Sequence, residues 1–153
     1  MVVWRICKAK YADRSFSGEG GLRAAARWHH RGYRIVYTAQ SLSLAVIETW
    51  VHVWIAKPLF SYVAVSAEVP DDLPVHWIEE ASLPSDWKEN EGHSVLQDLG
   101  TAWLRSLETA IARVPAATTA GEFNYLLNPM HPDFARIRLG DVQPFNFDPR
   151  MWK

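Results

Sequence analysis

An apolar segment of helical length, SLSLAVIETWVHVWIA, constrains the fold of this chain more than any other stretch. Glu48 is its only charged residue, and the next charge along the chain is Lys57. Because a lone carboxylate is costly to bury, Glu48 must be paired, be neutralised by a proton, or face a cleft where a ligand uses it. Apolar residues occupy both faces of the predicted helix, so we expect a central helix that ends at Lys57 and Pro58.

Two more polar residues flank the strand predicted just before this helix. The strand spans residues 33–39, YRIVYTA, with Tyr37 near the point where strand gives way to helix. Arg27 precedes the strand. At spacings of ten and eleven residues, Arg27, Tyr37 and Glu48 could meet at a strand–loop–helix junction. Such junctions commonly hold the sites of α/β-type chains.

Length and cysteine content limit the class of protein. A chain of 153 residues buries about two-thirds of its surface on folding, so we expect one domain over residues 1–153. Cys7 is the only cysteine, which excludes an internal disulfide and a thiolate zinc cluster and fits a reducing cytosol. Neither a signal peptide nor a membrane span is predicted. We therefore expect a cytoplasmic protein without membrane contact.

Charge is distributed unevenly, although the net charge is −1. Residues 1–40 carry eight Lys or Arg against two acids, and residues 67–98 carry nine acids against one Lys. The basic part favours an anionic ligand such as a phosphate, and the acidic part favours a basic partner. A solvated surface with offsetting charges is an equally good interpretation for most of these residues. Arg5, on one strand face with apolar neighbours, either pairs with a buried acid or holds a ligand anion.

The rest of the chain predicts strands mixed with helices. Alternating polarity predicts strands in the stretches 1–8, 33–39, 61–70, 122–129, 131–140 and 143–148. Helices are predicted in residues 22–30 and within 94–113, the second with Ala110 and Ile111 on its apolar side. The acidic, proline-containing stretch 71–92 is expected to be irregular, with a short turn of helix, and to form a flap or a partner surface. These elements predict a compact α+β domain with a mixed sheet.

Several catalytic classes are excluded by the spacing of polar residues. The histidines, at positions 29, 30, 52, 76, 93 and 131, show no metal-ligand spacing, so we expect no metal site. No activated Ser or Cys nucleophile can be placed. Arg27, Tyr37 and Glu48 remain, a set suited to breaking a glycosidic bond beside a diphosphate. Arg27 could hold phosphate oxygens, Tyr37 could stack on or hydrogen-bond a ring, and Glu48 could stabilise a sugar cation. The alternative is a structural Arg–Glu pair with a core tyrosine.

A series of short motifs follows in order along nearly the whole chain: WRI, FSGEG, ARWHxxG, IVYTA, LAVIExxVH, LGxAWL, VP, NYLLNPxHPDF and FxFDxR. In these motifs the sequence resembles the RES-domain family, the toxins of Xre-RES toxin–antitoxin modules. The resemblance implies a fold akin to ADP-ribosyltransferases and an NAD-consuming toxin. It also implies an Xre-type, DNA-binding antitoxin that covers the active site, so that nucleic acid is contacted only through the antitoxin. In the family, NAD is cleaved by water or by phosphate as a co-substrate, or its ADP-ribose is passed to a protein.

Family roles map onto specific residues of this chain. The resemblance implies that Arg27, Tyr37 and Glu48 are catalytic and that Arg5, with Arg27 and Tyr37, contacts the nucleotide. A fourth family residue, a serine directly after Val-Pro, is replaced here by Ala116. Three interpretations stay open at this point. Thr118 or Thr119 supplies the lost hydroxyl, the protein works without it, or the chain is an inactivated form whose alanine is natural or introduced.

Three functions follow from these observations. The first is cleavage of the nicotinamide–ribose bond of NAD, with Glu48 stabilising the oxocarbenium-like transition state. The second is transfer of ADP-ribose to a host protein. The third is a binding module whose basic N-terminal third holds nucleic acid or an acidic protein, which the acidic middle and the lack of a recognition-helix pattern oppose.

Overall fold

The computed structural model describes residues 1–53 and 60–152, which form a mixed β-sheet flanked by helices. The strands are β1 Val2–Lys8, β2 Val36–Ala39, β3 Tyr62–Glu68, β4 Val75–Trp77, β5 Ile111–Pro115, β6 Phe123–Leu127, β7 Arg138–Leu139 and β8 Gln143–Phe145. The α-helices are α1 Gly20–Arg23, α2 Leu42–Trp50 and α3 Ser94–Ser106. Short 3₁₀ segments span Ala9–Arg14, Glu80–Ser82, Pro132–Arg136 and Pro149–Trp152.

The sheet runs in the order β4-β5-β6-β2-β1-β3-β7, and β8 also pairs with β3. All described pairs are antiparallel except β4 with β5, which is parallel. Strand β1 pairs with β3 over its whole length, from Val2 opposite Glu68 to Lys8 opposite Tyr62. Strands β1 and β3 lie within the alternating stretches 1–8 and 61–70, so the strands predicted there are confirmed.

Helix α2 begins as predicted but does not lie at the centre of the fold. The Ser41 hydroxyl caps it by accepting a hydrogen bond from the Leu44 N–H at 3.1 Å. Only Leu44 and Ala45 of this helix are buried, because the sheet covers one side and leaves Ile47 and Trp50 exposed. The prediction of a central helix is therefore wrong. Helix α2 ends at Trp50, with Val51 as its C-cap residue, which is earlier than the predicted end at residues 57–58; those two residues lie outside the described ranges.

The helix predicted over residues 22–30 is also wrong. Helix α1 ends at Arg23, and Ala24 is already extended, with φ −142° and ψ 142°. Further along, Trp28 and His29 are each only 2% exposed, and they bind groups from other parts of the chain. Those tertiary contacts outweigh the helical preference of the alanine-rich sequence.

Two strands were missed by the sequence analysis. Helix α3 ends at Ser106, Leu107 takes a left-handed conformation with φ 52°, and Ile111 begins the buried strand β5 instead of continuing the helix. The acidic stretch 71–92 contributes β4. Short apolar runs do not distinguish a strand from a helix turn, which explains both errors. Near the C-terminus, much of the predicted strand 131–140 is the 3₁₀ segment Pro132–Arg136, and only β7 is extended.

Among the described residues, three apolar clusters fill the space around the sheet. One contains Val3, Val65, Ile111 and Leu127 from the middle strands. The second contains Trp28, Trp87, Leu96, Trp103, Leu104 and Leu126, under α3. The third contains Ile6, Ala39, Leu44, Ala45, Ala64 and Ala116, under α2. Helices α2 and α3 thus cover separate clusters, and a cavity opens beside α2.

Candidate active site

A cavity of about 560 Å³ lies beside α2, and its walls include the polar residues singled out in the sequence. Strand β1 contributes Arg5, β2 contributes Tyr37, α2 contributes Glu48, and the turn between Ala26 and His29 contributes Arg27. Residues that are far apart along the chain therefore meet at one cleft. Ala116 is not among the wall residues, because it is buried in the apolar cluster under α2.

Glu48 is held by two hydrogen bonds that reach the same oxygen. The Thr118 hydroxyl donates to Glu48 Oε1 at 2.8 Å, and the Asn124 amide Nδ2 donates to it at 2.9 Å. In the described part of the chain, no hydrogen bond reaches Oε2. One carboxylate oxygen is thereby fixed by neutral donors, and the other is left for a ligand.

Arg27 does not pair with Glu48. Its Nη1 donates to the carbonyl oxygen of Trp87 at 2.7 Å and to that of Asn90 at 3.4 Å. The guanidinium also lies 5.9 Å from the Trp87 ring centre. The alternative of a structural Arg–Glu pair is therefore wrong, and Arg27 contributes a positive charge to the cavity wall without a carboxylate partner among residues 1–53 and 60–152.

Arg5 also lacks an acidic partner in the described chain. Its Nη1 donates to the backbone oxygen of Tyr37 at 2.9 Å, and its buried Nε has no hydrogen-bond partner among residues 1–53 and 60–152. Burial lowers the pKa of Arg5 from its ordinary value, since a desolvated charge is disfavoured. Of the two roles open for this residue, the ion pair with a buried acid is absent from the described residues. An anion in the cavity would supply the missing counter-charge.

Tyr37 is held at its hydroxyl by the segment after α1. The Trp28 N–H donates to the hydroxyl oxygen at 3.1 Å, and His29 Nδ1 lies 2.8 Å from the same oxygen. Burial raises the pKa of Tyr37 above its ordinary value. The hydroxyl therefore stays protonated at neutral pH, and Tyr37 offers no negative charge to the site.

A second cavity, of about 450 Å³, adjoins the first. The two share Arg5, Ala26 and Tyr37 as wall residues. Arg14 and Arg23 line the second cavity, so basic residues extend beyond the first. An elongated anionic ligand could therefore pass from one cavity to the other along Arg5.

Across residues 1–53 and 60–152, no group of three or more His, Cys, Asp or Glu is arranged to hold a metal ion. In the same ranges, no helix has the length and apolar character needed to cross a membrane.

Comparison with known proteins identifies the family. A model of the RES domain matches residues 2–148. This chain belongs to the RES-domain family. Over 153 residues the RES domain is 33% identical to "Toxin Res" of Yersinia enterocolitica, covering 99% of each chain. It is 35% identical to the "Prs ADP-ribosylating toxin" of a Sphingobium species, covering 97% of this chain and 94% of the relative. The predicted membership among RES-domain toxins is confirmed.

The fold of this RES domain also matches a solved structure. The M. tuberculosis MbcT-MbcA toxin–antitoxin complex contains a chain that superposes with a TM-score of 0.78 at 19% identity. The match covers 99% of this chain and 86% of that chain. At this identity the likeness concerns the fold, and it confirms the predicted α+β class with a mixed sheet.

Asn124 and His29 contact the candidate site residues of this RES domain, but the sequence did not single them out. Asn124 lies within the NYLLNP motif, but only the pairing of β6 with β2 brings its amide to Glu48. His29 lies within ARWHxxG, and its contact with Tyr37 requires the chain to turn back on itself at the Ala26–His29 bridge. Both residues lie within motifs that are visible in the sequence. The contacts of their side chains, however, depend on the tertiary structure and could not be read from the motifs.

Proposed function

We propose that this RES domain, residues 1–153, is the toxin of a toxin–antitoxin system and cleaves the nicotinamide–ribose bond of NAD. The observation that carries the proposal is the carboxylate of Glu48, whose Oε1 accepts two hydrogen bonds while Oε2 accepts none from the described residues. The cavity that contains it also contains two guanidinium groups without acidic partners among the described residues. Such a site suits a substrate that joins a diphosphate to a sugar on which positive charge develops.

The proposed roles follow the chemistry of the substrate. Arg5 and Arg27 bind the oxygens of the diphosphate, which provide counter-charges that neither guanidinium group has among the described residues. The ring of Tyr37 faces the nicotinamide. Glu48 lies beside the ribose, with Oε2 towards C1′ and Oε1 held by Thr118 and Asn124.

In the proposed reaction, the bond between ribose C1′ and nicotinamide N1 breaks, and both electrons leave with neutral nicotinamide. The ribose becomes an oxocarbenium-like cation, which the negative charge of Glu48 stabilises. A water oxygen then attacks C1′ and loses a proton, giving ADP-ribose. If phosphate attacks instead, the product is ADP-ribose 1″-phosphate. No step requires a metal.

The test is the NAD concentration over time with purified protein, with and without added phosphate. Replacing Glu48 by Gln keeps the shape of the side chain and removes its charge, so we expect the rate to fall by on the order of 100-fold or more. Glu108→Gln, at an exposed position outside the cavity, is the matched control and should retain the wild-type rate. A Glu48→Gln variant that still consumes NAD at the wild-type rate would contradict the proposal.

Transfer of ADP-ribose to a protein is the second candidate. It is supported by the 35% identity to a relative named "Prs ADP-ribosylating toxin". Labelled NAD incubated with a bacterial lysate separates the two activities, because transfer leaves the label on a protein band and cleavage releases it as a small molecule. A labelled band that disappears with Glu48→Gln would favour transfer.

We also propose that an antitoxin of the Xre type covers the cavity in the cytoplasm, where NAD is available. The likeness to a chain of a toxin–antitoxin complex supports a partner of this kind. The exposed apolar residues Ile47, Trp50 and Val51 lie on or next to α2, and Val51 lines the cavity. Nucleic acid would then be reached only through the antitoxin. Co-expression with the neighbouring gene, followed by co-purification and an NAD assay of the complex, tests this arrangement.

A further inference from the structure

His29 is buried behind Tyr37, and its two ring nitrogens face different kinds of partner. Nε2 lies 3.0 Å from the carbonyl oxygen of Ala24, and Nδ1 lies 2.8 Å from the hydroxyl of Tyr37. A carbonyl oxygen can only accept a hydrogen bond, so Nε2 must carry a proton. Burial also lowers the pKa of His29, which keeps the ring neutral at pH 7. The single proton of the neutral ring is therefore on Nε2, and Nδ1 is an acceptor.

This tautomer determines the direction of the next hydrogen bond. Because Nδ1 can only accept, the Tyr37 hydroxyl must donate its one proton to His29. The Trp28 N–H donates to the oxygen of the same hydroxyl at 3.1 Å. The hydroxyl proton is thus fully engaged within the protein, and it is not available to a ligand in the cavity.

We propose that His29 is a positioning residue that engages the Tyr37 hydroxyl, so that Tyr37 contacts the ligand through its aromatic ring and not as a hydrogen-bond donor or acid. The sequence alone left stacking and hydrogen bonding open for Tyr37. The hydrogen-bond arrangement now favours stacking, which selects a flat ring at this position of the substrate. The identity of that ring as nicotinamide rests on the proposed function, whereas the arrangement of His29 and Tyr37 does not.

Gly21 leaves room for this arrangement. A Cβ at Gly21 would lie 3.0 Å from His29 Nε2 and would overlap the carbonyl oxygen of Tyr33. Any larger residue would therefore push on the imidazole that holds Tyr37. Gly21 thus has a role in the site through the space that it leaves for His29.

The first test is the tautomer of His29, measured by long-range ¹H–¹⁵N correlation NMR on the full chain labelled at histidine. Loss of one ring system in His29→Asn assigns the signals. We expect a neutral ring protonated at Nε2 at pH 7, and a shift of the Nδ1 resonance in Tyr37→Phe. A ring protonated at Nδ1, or at both nitrogens, would overturn the proposal. This measurement does not depend on activity, so it decides the arrangement even if the protein consumes no NAD.

The second test separates the ring of Tyr37 from its hydroxyl. We expect kcat/KM for NAD to fall by no more than about tenfold in Tyr37→Phe, the cost of one lost hydrogen bond, and by on the order of 100-fold in Tyr37→Leu, which lacks a flat ring. Equal losses in the two variants would show that the hydroxyl takes part directly, and would overturn the proposal. If the wild type consumes no NAD while the tautomer is as expected, only the proposed function fails.

A double-mutant cycle then tests whether His29 acts through Tyr37. His29→Leu removes the acceptor and should lower kcat/KM by about tenfold, mainly through KM, whereas in the Tyr37→Phe background the same change should cost less than about twofold. His29→Asn places an amide oxygen near the position of Nδ1 and should recover most of the loss. Equal effects of His29→Leu in both backgrounds would indicate a general structural role and contradict the proposal.

Discussion

The hydroxyl of Thr118 donates a hydrogen bond of 2.8 Å to Glu48 Oε1, from the loop that follows β5. The family serine expected in this loop is replaced by Ala116, which is buried under α2 and does not line the cavity. Of the three interpretations open from the sequence, the geometry favours the one in which Thr118 supplies the hydroxyl.

Removing the Thr118 hydroxyl should therefore slow the reaction without unfolding the protein. Thr118→Val keeps the shape of the side chain, and we expect the rate of NAD consumption to fall about tenfold, the usual effect of losing one hydrogen bond to a charged group. Thr119→Val is the matched control, because the Thr119 hydroxyl lies 3.5 Å from that of Thr118 and makes no described contact with Glu48. If Thr118→Val and Thr119→Val consumed NAD at the same rate, the Thr118 hydroxyl would have no specific role in the reaction.

Restoring the family serine should have little effect on activity. Because Ala116 packs among apolar side chains such as Leu44 and Ala45, the added hydroxyl of Ala116→Ser is expected to change the rate less than about threefold and to lower the free energy of unfolding by about 1 kcal/mol. NAD assays and urea unfolding of the same preparation measure both effects. A large gain in activity would instead identify the chain as an inactivated form.

The sequence predicted the parts of the site that depend on neighbouring elements. Tyr37 and Glu48 lie on a strand and the helix that follows it, so their proximity needs only one connection of known geometry. Asn124 could not be predicted in the same way, because it reaches Glu48 only through the pairing of Ala39 with Asn124 across β2 and β6. Pairing between distant strands is set by the packing of the whole sheet, which local periodicity does not contain.

The errors in the helices have a related origin. Alanine content predicted a helix through residues 22–30, but Trp28 and His29 gain more by binding distant groups than a helix turn would provide. Likewise, the apolar residues on both sides of α2 predicted a central helix, whereas Trp50 and Val51 are exposed. Exposed apolar residues on a toxin are consistent with a surface that an antitoxin covers.

Gly100 allows α3 to pack directly against the backbone of Trp28, which also contacts Tyr37. A Cβ at this position would overlap the carbonyl oxygen of Trp28, and the Trp28 N–H holds the Tyr37 hydroxyl. We expect Gly100→Ala to lower the free energy of unfolding by about 2 to 3 kcal/mol, since backbone must move on both sides and the gain in helix propensity offsets only part of the cost. Urea unfolding monitored by tryptophan fluorescence measures the change.

Gly92→Ala is the control for this experiment. A Cβ there meets only the side-chain oxygen of Asn90, at 3.4 Å, in an exposed turn. We expect a change of less than about 0.5 kcal/mol, as for most surface substitutions. If Gly100→Ala and Gly92→Ala had the same free energy of unfolding, the close approach of α3 to the Trp28 backbone would be contradicted.

The last prediction concerns pH and follows from the buried, neutral His29. Its pKa is lower in the folded protein than in the unfolded chain because burial disfavours the charged ring. Above the unfolded pKa of about 6.5 neither state is protonated, and the contribution to stability is complete. As the pH falls below that value, the unfolded chain binds a proton that the folded protein does not, so stability is lost.

We therefore expect the free energy of unfolding of the wild type to fall between pH 7 and pH 5 by up to about 1.4 kcal/mol per pH unit on account of His29. Comparison with His29→Asn isolates this effect, because the contributions of the other histidines cancel in the difference. The stability advantage of the wild type over His29→Asn should shrink as the pH falls. Parallel pH profiles for the wild type and His29→Asn would mean that folding does not lower the pKa of His29, and would contradict this prediction.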